Sequence, residues 1–136
     1  MKVLIMGLPG SGKTYLAKRM QPLLEAAWYN ADIVREMAND WDFSPEGRIR
    51  QSLRMKNLAD YEKKCGRIVI CDFVCPTKET KDNFSPDITI WMNTIESGRY
   101  EDTNKMFEEP LDVDYRITEM NDDNHKILAR EILKNV

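Results

Sequence analysis

The first fourteen residues constrain the fold more than any other stretch of this chain. Residues 2–6 form an apolar run of strand length, and residues 7–14 read Gly-Leu-Pro-Gly-Ser-Gly-Lys-Thr, which matches G-x-x-x-x-G-K-[ST] at every fixed position. A stretch of helical pattern follows, from Tyr15 to about Ala27, with Pro22 as a predicted kink. The order of strand, glycine loop and helix is the one that a phosphate-binding loop requires.

The residue types of the loop suit the binding of a triphosphate. Its glycines allow backbone N–H groups to approach phosphate oxygens, and the following helix adds the positive end of its dipole. The Lys13 ammonium can bridge the outer phosphates, and the Thr14 hydroxyl can bind Mg²⁺. A glycine-rich turn without a ligand is the alternative, but the context argues against it. The predicted ATP-binding residues are Gly7, Leu8, Pro9, Gly10, Ser11, Gly12, Lys13, Thr14 and Tyr15.

Composition and charge limit the class of protein. The 136 residues, of which 42% are hydrophobic, predict one domain with one core. A net charge of −3 gives no reason to expect a nucleic-acid surface, and no apolar run approaches the length of a membrane span. Because a strand is predicted from residue 2, we expect no cleaved leader and a cytoplasmic location. The sequence leaves the oligomeric state open, with a homodimer as one option.

The cysteines and the histidine predict no zinc site. Cys65, Cys71 and Cys75 lack the C-x-x-C spacing of metal and redox motifs, and His125 is the one histidine of the chain. We interpret the thiols as reduced and mostly packed in the core.

Strand-like and helix-like patterns alternate along the rest of the chain. Strands are predicted at 27–30, 68–72, 88–92 and 115–118, and helices at 32–38, 44–65, 77–83 (helix or loop), 101–107 and after 121–124. This alternation predicts an α/β fold, a three-layer sandwich with a mostly parallel central sheet. Ligands of such folds bind at the carboxyl ends of the strands.

One acidic residue ends a predicted buried strand. Asp72 follows an unbroken apolar run, which is typical of a strand that is covered on both faces. The carboxyl end of that strand would lie beside the phosphate loop, where a second acid often organises Mg²⁺. We therefore predict that Asp72 belongs to the metal site.

The long helix predicted over 44–65 begins with a Ser-Pro pair, a common helix start. Arg48 and Gln51 fall on one stripe of this helix by their spacing. Arg50 and Arg54 point elsewhere, and we expect them to be solvated.

Phosphate-loop proteins include kinases, switch GTPases and motor ATPases. A GTPase needs N-K-x-D to read guanine, and the nearest match, residues 104–107, lacks the Asp. Asp72 is followed by Phe-Val-Cys, without the glycine of a GTPase switch. Motor ATPases are usually longer. These observations favour a small-molecule kinase.

Three further motifs resemble the ordered motifs of the adenylyl-sulfate kinase family. They are Asn-Ala-Asp-Ile-Val-Arg at 30–35, Phe-Ser-Pro-Glu-Gly-Arg at 43–48 and Phe-Val-Cys-Pro at 73–76. The family has D-G-D-N-V/I-R, F-S-x-x-D-R and F-I-S-P at the matching places. The similarity covers about residues 1–95. It implies a P-loop kinase of the nucleoside and nucleotide kinase type, which transfers phosphate from ATP with Mg²⁺ to the 3′-hydroxyl of adenylyl sulfate.

The resemblance also implies a role for each matched residue. Asp32 would lie near Mg²⁺ and the attacking hydroxyl, Arg35 and Arg48 would hold the phosphosulfate, and Phe43 would stack on the acceptor adenine. The implied catalytic residues are Lys13, Asp32 and Arg48. The implied acceptor residues are Asp32, Arg35, Phe43, Arg48, Gln51, Phe73, Val74 and Cys75. The predicted metal residues are Thr14, Asp32 and Asp72.

The sequence departs from the family pattern at positions that bear on the acceptor. Asn30 replaces the first Asp of D-G-D, Gly47 replaces the Asp before the second Arg, and Cys75 replaces the Ser of F-I-S-P. The long basic lid of the family is reduced to a short segment at about 96–114. Two alternatives therefore stay open. One is a kinase for another nucleotide, nucleoside or nucleic-acid end, and the other is a nucleotide-binding regulator with little transfer activity.

Overall fold

The computed structural model describes residues 1–98 and 101–136, where five strands alternate with six helices. The strands are β1 (Lys2–Met6), β2 (Ala27–Asn30), β3 (Val69–Asp72), β4 (Ile88–Met92) and β5 (Tyr115–Ile117). The helices are α1 (Lys13–Leu24), α2 (Ala31–Ala38), α3 (Pro45–Lys64), α4 (Lys78–Phe84), α5 (Glu101–Met106) and α6 (Asn124–Leu133). Every predicted strand and helix is therefore present, with small shifts at the ends.

The five strands form one sheet in the order β2-β3-β1-β4-β5, and all neighbouring pairs are parallel. Central β1 pairs with β3 on one side and with β4 on the other. Because the strands are parallel, the loops that follow β1, β2 and β3 converge at one edge of the sheet. The predicted parallel sheet is confirmed.

The alternating side chains of β1 divide the core into two layers. Val3 and Ile5 face a cluster that includes residues of α1 and α6, whereas Leu4 and Met6 face a cluster that includes residues of α2, α3 and α4. All four side chains are buried. Since helices cover both faces of the sheet, its strands carry unbroken apolar runs, and the predicted three-layer sandwich is confirmed.

The helix ends show where local sequence decided the structure. Ser44 accepts a hydrogen bond from the Gly47 N–H (3.2 Å) at the start of α3, as its cap position predicts. The first helix ends at Leu24, earlier than predicted, because the chain turns at Glu25 with a left-handed φ of 49°.

Within the described part of the chain, no helix is both long and apolar enough to cross a membrane.

Two arginines of α3 form ion pairs that the sequence did not predict. We expected Arg50 and Arg54 to be solvated, and the Arg50 side chain is 48% exposed, but both also bind the Asp40 carboxylate, through Arg50 Nε (2.7 Å) and Arg54 Nη2 (2.8 Å). Arg50 also binds Asp42 at 3.0 Å. Hydrogen bonds from Arg50 and Arg54 hold the pKa of Asp40 well below its usual range. The loop 39–43 is thereby fastened to the first turns of α3.

Candidate active site

The phosphate loop leaves β1 and enters α1 through a backbone that only glycine adopts readily. Gly10 and Gly12 have φ values of 88° and 97°. A Cβ on Gly7 would lie 2.6 Å from the carbonyl oxygen of Met92, so no larger residue fits there without movement. Ser11 Oγ is buried and has no hydrogen-bond partner among the described residues, which suits a group that meets a ligand.

Lys13 and Thr14 stand at the first turn of α1, at the carboxyl edge of the sheet. Lys13 Nζ donates to the Leu8 carbonyl at 3.0 Å and so lies across the loop. Thr94, just after β4, donates its hydroxyl to the Ser11 carbonyl at 2.8 Å, which fixes the loop from the other side. The loop is thus held in shape by the chain itself.

Asp72 lies beside this loop, as predicted, within a four-residue network. Its Oδ2 accepts from the Thr14 hydroxyl (2.8 Å) and from Asn30 Nδ2 (3.0 Å), while its Oδ1 accepts from Trp28 Nε1 (2.6 Å). Asn30 also donates to Thr14 Oγ1 at 3.1 Å. Only 2% of Asp72 is exposed. Burial raises the pKa of Asp72, and the bonds from Trp28, Thr14 and Asn30 offset part of that rise.

The side-chain oxygens of Thr14 and Asp72 fit a Mg²⁺ ion that accompanies a nucleotide. The Thr14 hydroxyl directs its hydrogen at Asp72, so an oxygen lone pair is available to a cation. Asp32 lines the same cleft from the first turn of α2. Among the described residues, no three His, Cys, Asp or Glu side chains cluster as a closed metal site. Mg²⁺ at a nucleotide needs only one or two protein ligands, since phosphates and water supply the rest.

One cleft of about 660 Å³ unites most of the predicted donor and acceptor residues. Its lining includes Pro9, Gly10, Lys13, Thr14, Asp32, Phe43, Arg48, Asp72, Phe73 and Val74. A smaller adjoining cavity of about 70 Å³ shares Asp32, Phe43 and Arg48 with the cleft and adds Arg35, Gln51 and Cys75. The remaining predicted loop residues, Gly7, Leu8, Ser11, Gly12 and Tyr15, belong to the loop and the start of α1 without lining this cleft.

Two predicted acceptor residues lie behind the cleft surface. Arg35 is 4% exposed and donates from Nη1 to the carbonyls of Asp40 (3.0 Å) and Asp42 (3.1 Å). Burial lowers the pKa of Arg35. Gln51 is also buried, and its Nε2 donates to the Ala31 carbonyl at 3.1 Å. In this structure both side chains support the cleft, and their contact with an acceptor stays a prediction.

Arg48 links the acceptor side to the region predicted as a short lid. Its Nε donates to the Phe43 carbonyl (3.0 Å), and its Nη2 donates to Thr103 Oγ1 (2.7 Å) on α5. Thr103 also lines the cleft, so α5 forms one of its walls. The predicted lid segment at 96–114 includes residues 99 and 100, which lie outside the described residues.

Sequence reasoning did not assign four residues that the structure brings into the site. Asn30 and Trp28 bind Asp72, Thr103 binds Arg48, and Trp41 lines the cleft. The sequence could have indicated Asn30, because it ends the predicted strand β2 just as Asp72 ends β3, and the two residues pair in register. The other three contacts depend on the tertiary arrangement.

The parallel sheet order and the phosphate-loop cleft define this chain as a phosphate-loop kinase fold. The chain belongs to the adenylylsulphate kinase family, whose family model matches residues 1–96. The resemblance seen in the sequence is therefore confirmed.

Individual relatives agree with that assignment. The chain is 35% identical over 89 residues to a probable adenylyl-sulfate kinase of Aeropyrum pernix, with 59% of this chain and 47% of that protein covered. It is 36% identical over 81 residues to an adenylyl-sulfate kinase of Chloroflexus aurantiacus, with 55% and 44% covered. The chain thus spans about half the length of the curated relatives it matches.

A solved relative supports the fold over nearly the whole chain. The structure of the Mycobacterium tuberculosis APS kinase CysC in complex with AMPPNP and APS has a TM-score of 0.72 to this chain at 20% identity. The match covers 98% of this chain and 95% of that one.

Proposed function

We propose that this protein is a Mg²⁺-dependent ATP phosphotransferase that phosphorylates adenylyl sulfate at its 3′-hydroxyl, a reaction of sulfate assimilation. The observation that carries the proposal is the single cleft in which Lys13 and Thr14 face Asp32, Phe43 and Arg48. Membership of the adenylylsulphate kinase family supports this acceptor. We further propose that the protein acts in the cytoplasm as one phosphate-loop domain with a short lid.

On the donor side, the protein would hold the triphosphate and its metal. ATP with Mg²⁺ supplies the transferable phosphoryl group when it is bound. The backbone N–H groups of the loop and the start of α1 would bind phosphate oxygens, and Lys13 would stabilise charge on the outer phosphates. Thr14 would bind the metal, and Asp72 would bind it through water.

On the acceptor side, the protein would position the attacking hydroxyl. Asp32 would orient or deprotonate the 3′-hydroxyl, Arg48 would bind the acceptor anion, and Phe43 would stack on its base. Phosphoryl transfer asks little covalent chemistry of a protein, so most of the catalysis would come from position and charge.

A kinase for another nucleotide-like acceptor is the second candidate. The burial of Arg35 and its hydrogen bonds to the backbone favour this candidate. A doubly charged acceptor needs fixed cations. Arg35 is buried and donates to two backbone carbonyls, so Arg48 is the one arginine among the described residues that lines the main cleft. An acceptor with less negative charge would need fewer cations.

The test follows label from γ-labelled ATP into a panel of acceptors: adenylyl sulfate, AMP, adenosine and an oligonucleotide end. The proposal predicts labelled 3′-phosphoadenylyl sulfate with the wild-type protein and none with Lys13→Ala. Label in another acceptor instead would support the second candidate. ATP binding without transfer to any acceptor would identify a regulator and refute both kinase proposals.

Two variants and a control assign the acceptor residues in the same assay. Arg48→Ala should raise the acceptor KM, so an unchanged acceptor KM would remove its role. Asp32→Asn should lower kcat by at least about tenfold, on the scale of a positioned acid or base. Arg130→Ala is a matched control, because Arg130 is exposed on α6, whose buried residues pack on the other face of the sheet.

A further inference from the structure

We propose that Trp41 is a specificity-determining residue, which forms with Phe43 a wedge of two rings that holds the planar base of the acceptor. The inference deepens the proposed function and rests on it, because it assigns the same cleft a base-bearing acceptor. It concerns a residue to which neither the sequence motifs nor the family pattern gives a role.

The two rings stand at the cleft and are half exposed. Trp41 is 51% exposed and Phe43 is 49% exposed, and both line the cleft that contains Lys13 and Asp32. Large aromatic side chains bury most of their surface in cores, so two neighbouring exposed rings on a concave surface indicate a ligand contact. A nucleotide base offers the flat apolar face that such rings bind.

The two rings are tilted against each other and do not lie face to face. The ring centroids are 6.5 Å apart, and the planes meet at 42°. This separation is near the upper limit for an aromatic pair, so each ring keeps surface that is not covered by the other. A base that enters the cleft can lie against both of them.

The backbone on each side of Trp41 is held in place. Asp40 receives hydrogen bonds from Arg50 and Arg54 on its carboxylate, and its carbonyl accepts from Arg35. Asp42 accepts from Arg35 on its carbonyl, which fastens the other neighbour of the indole. A ring that protrudes from a fixed backbone loses little conformational freedom when it binds a ligand, and this favours affinity.

Phe43 is held from within the protein as well. The Arg35 guanidinium carbon lies 4.4 Å from the Phe43 ring centroid, and that of Arg48 lies 5.5 Å away. These arginines fix the phenyl ring by cation–π attraction. The charged group of the acceptor would meet Arg48, while its base would meet the wedge.

Calorimetry tests the wedge by measuring equilibrium binding of adenylyl sulfate in the presence of a non-hydrolysable ATP analogue and Mg²⁺. Trp41→Leu should weaken adenylyl sulfate binding about tenfold or more, the range that removal of a base–aromatic stack produces. Trp41→Phe should keep affinity within about threefold, because a flat ring remains. Met37→Leu, an exposed apolar residue outside the cleft lining, is the matched control.

Two further measurements separate stacking from structure. The ATP analogue should bind all variants equally, and their melting temperatures should agree with that of the wild type. Ribose 5-phosphate, which carries no base, should bind wild type and Trp41→Leu alike. If Trp41→Leu weakens binding of the ATP analogue or of ribose 5-phosphate as much as binding of adenylyl sulfate, Trp41 has a structural role and the wedge is refuted.

The outcomes distinguish the two proposals. Equal affinity of wild type and Trp41→Leu for adenylyl sulfate would refute the wedge and leave the proposed function intact. If the wild type binds the ATP analogue but not adenylyl sulfate, the proposed acceptor is refuted, and the wedge that depends on it is refuted as well.

Discussion

The hydrogen bond from Trp28 to Asp72 offers a quantitative test of the active-site network. In Trp28→Phe, most of the apolar surface remains, but the N–H that lies 2.6 Å from Asp72 Oδ1 is lost. The Asp72 carboxylate is only 2% exposed, so water cannot easily replace the missing donor. We expect the variant to fold but to be less stable.

The size of the loss follows from the burial of the acceptor. A hydrogen bond to a charged group contributes about 1.5–3 kcal/mol, and little discount for solvent applies at this depth. A loss of about 2 kcal/mol corresponds to a fall in Tm of roughly 6–10 °C for a domain of this size.

The pH dependence of this loss has a definite sign. Burial raises the folded-state pKa of Asp72 above its unfolded value, so the carboxylate costs stability as the pH rises through the folded pKa. The Trp28 bond lowers that pKa, and its removal increases the cost of the anion. The loss in free energy of unfolding caused by Trp28→Phe should therefore be larger at pH 8 than at pH 4.

A double-mutant cycle isolates the bond. Urea unfolding of wild type, Trp28→Phe, Asp72→Ala and the double variant gives the coupling free energy between the two side chains. We expect a coupling of about 1.5 kcal/mol or more, measured without nucleotide or metal. A coupling near zero, which means that the Trp28→Phe loss persists unchanged in the Asp72→Ala background, would refute the network.

Three other predictions test the loop, the α3 clamp and the thiols. Gly7→Ala should abolish ATP binding, because its Cβ would lie 2.6 Å from a carbonyl oxygen of β4, and wild-type affinity in calorimetry would contradict this. Asp40→Asn should lower Tm more at pH 7 than at pH 2, since bonds from two arginines lower the Asp40 pKa and its stabilisation is lost progressively as the pH falls below about 4. Equal Tm deficits at both pH values would argue against the clamp. Cys65 is exposed and should react first with a thiol reagent, whereas burial raises the pKa of Cys75 to about 12, so early label on Cys75 in mass spectrometry would contradict the fold.

The elements of this fold could be predicted because each has a strong local pattern. The apolar run and the glycine loop place β1 and α1, and the Ser-Pro pair places the start of α3. The position of Asp72 beside Thr14 also followed, since carboxyl ends of parallel strands share an edge. Cys71 and Cys75 are buried, as the prediction of core thiols requires, whereas Cys65 is exposed.

The missed contacts depend on neighbours that are distant in sequence. Trp28 meets Asp72 because β2 lies next to β3, and the order of strands cannot be read from their patterns. The ion pairs of Arg50 and Arg54 with Asp40 were not predicted, because helical spacing describes one helix and not the loop that folds over it. Trp41 lies between the helices predicted at 32–38 and 44–65 and belongs to none of the matched motifs, and only the cleft shows what it faces. The roles of the acceptor residues and of the short lid stay predictions.

A single-turnover reaction tests the proposed transfer directly: excess protein is mixed with γ-labelled ATP, Mg²⁺ and adenylyl sulfate, and the products are separated. We expect label to leave ATP and to appear on the 3′-oxygen of adenylyl sulfate, in a time course that Lys13→Ala abolishes. Label that appears only as free phosphate, or that stays on ATP while the nucleotide is bound, would contradict the claim that one cleft joins donor and acceptor for phosphoryl transfer.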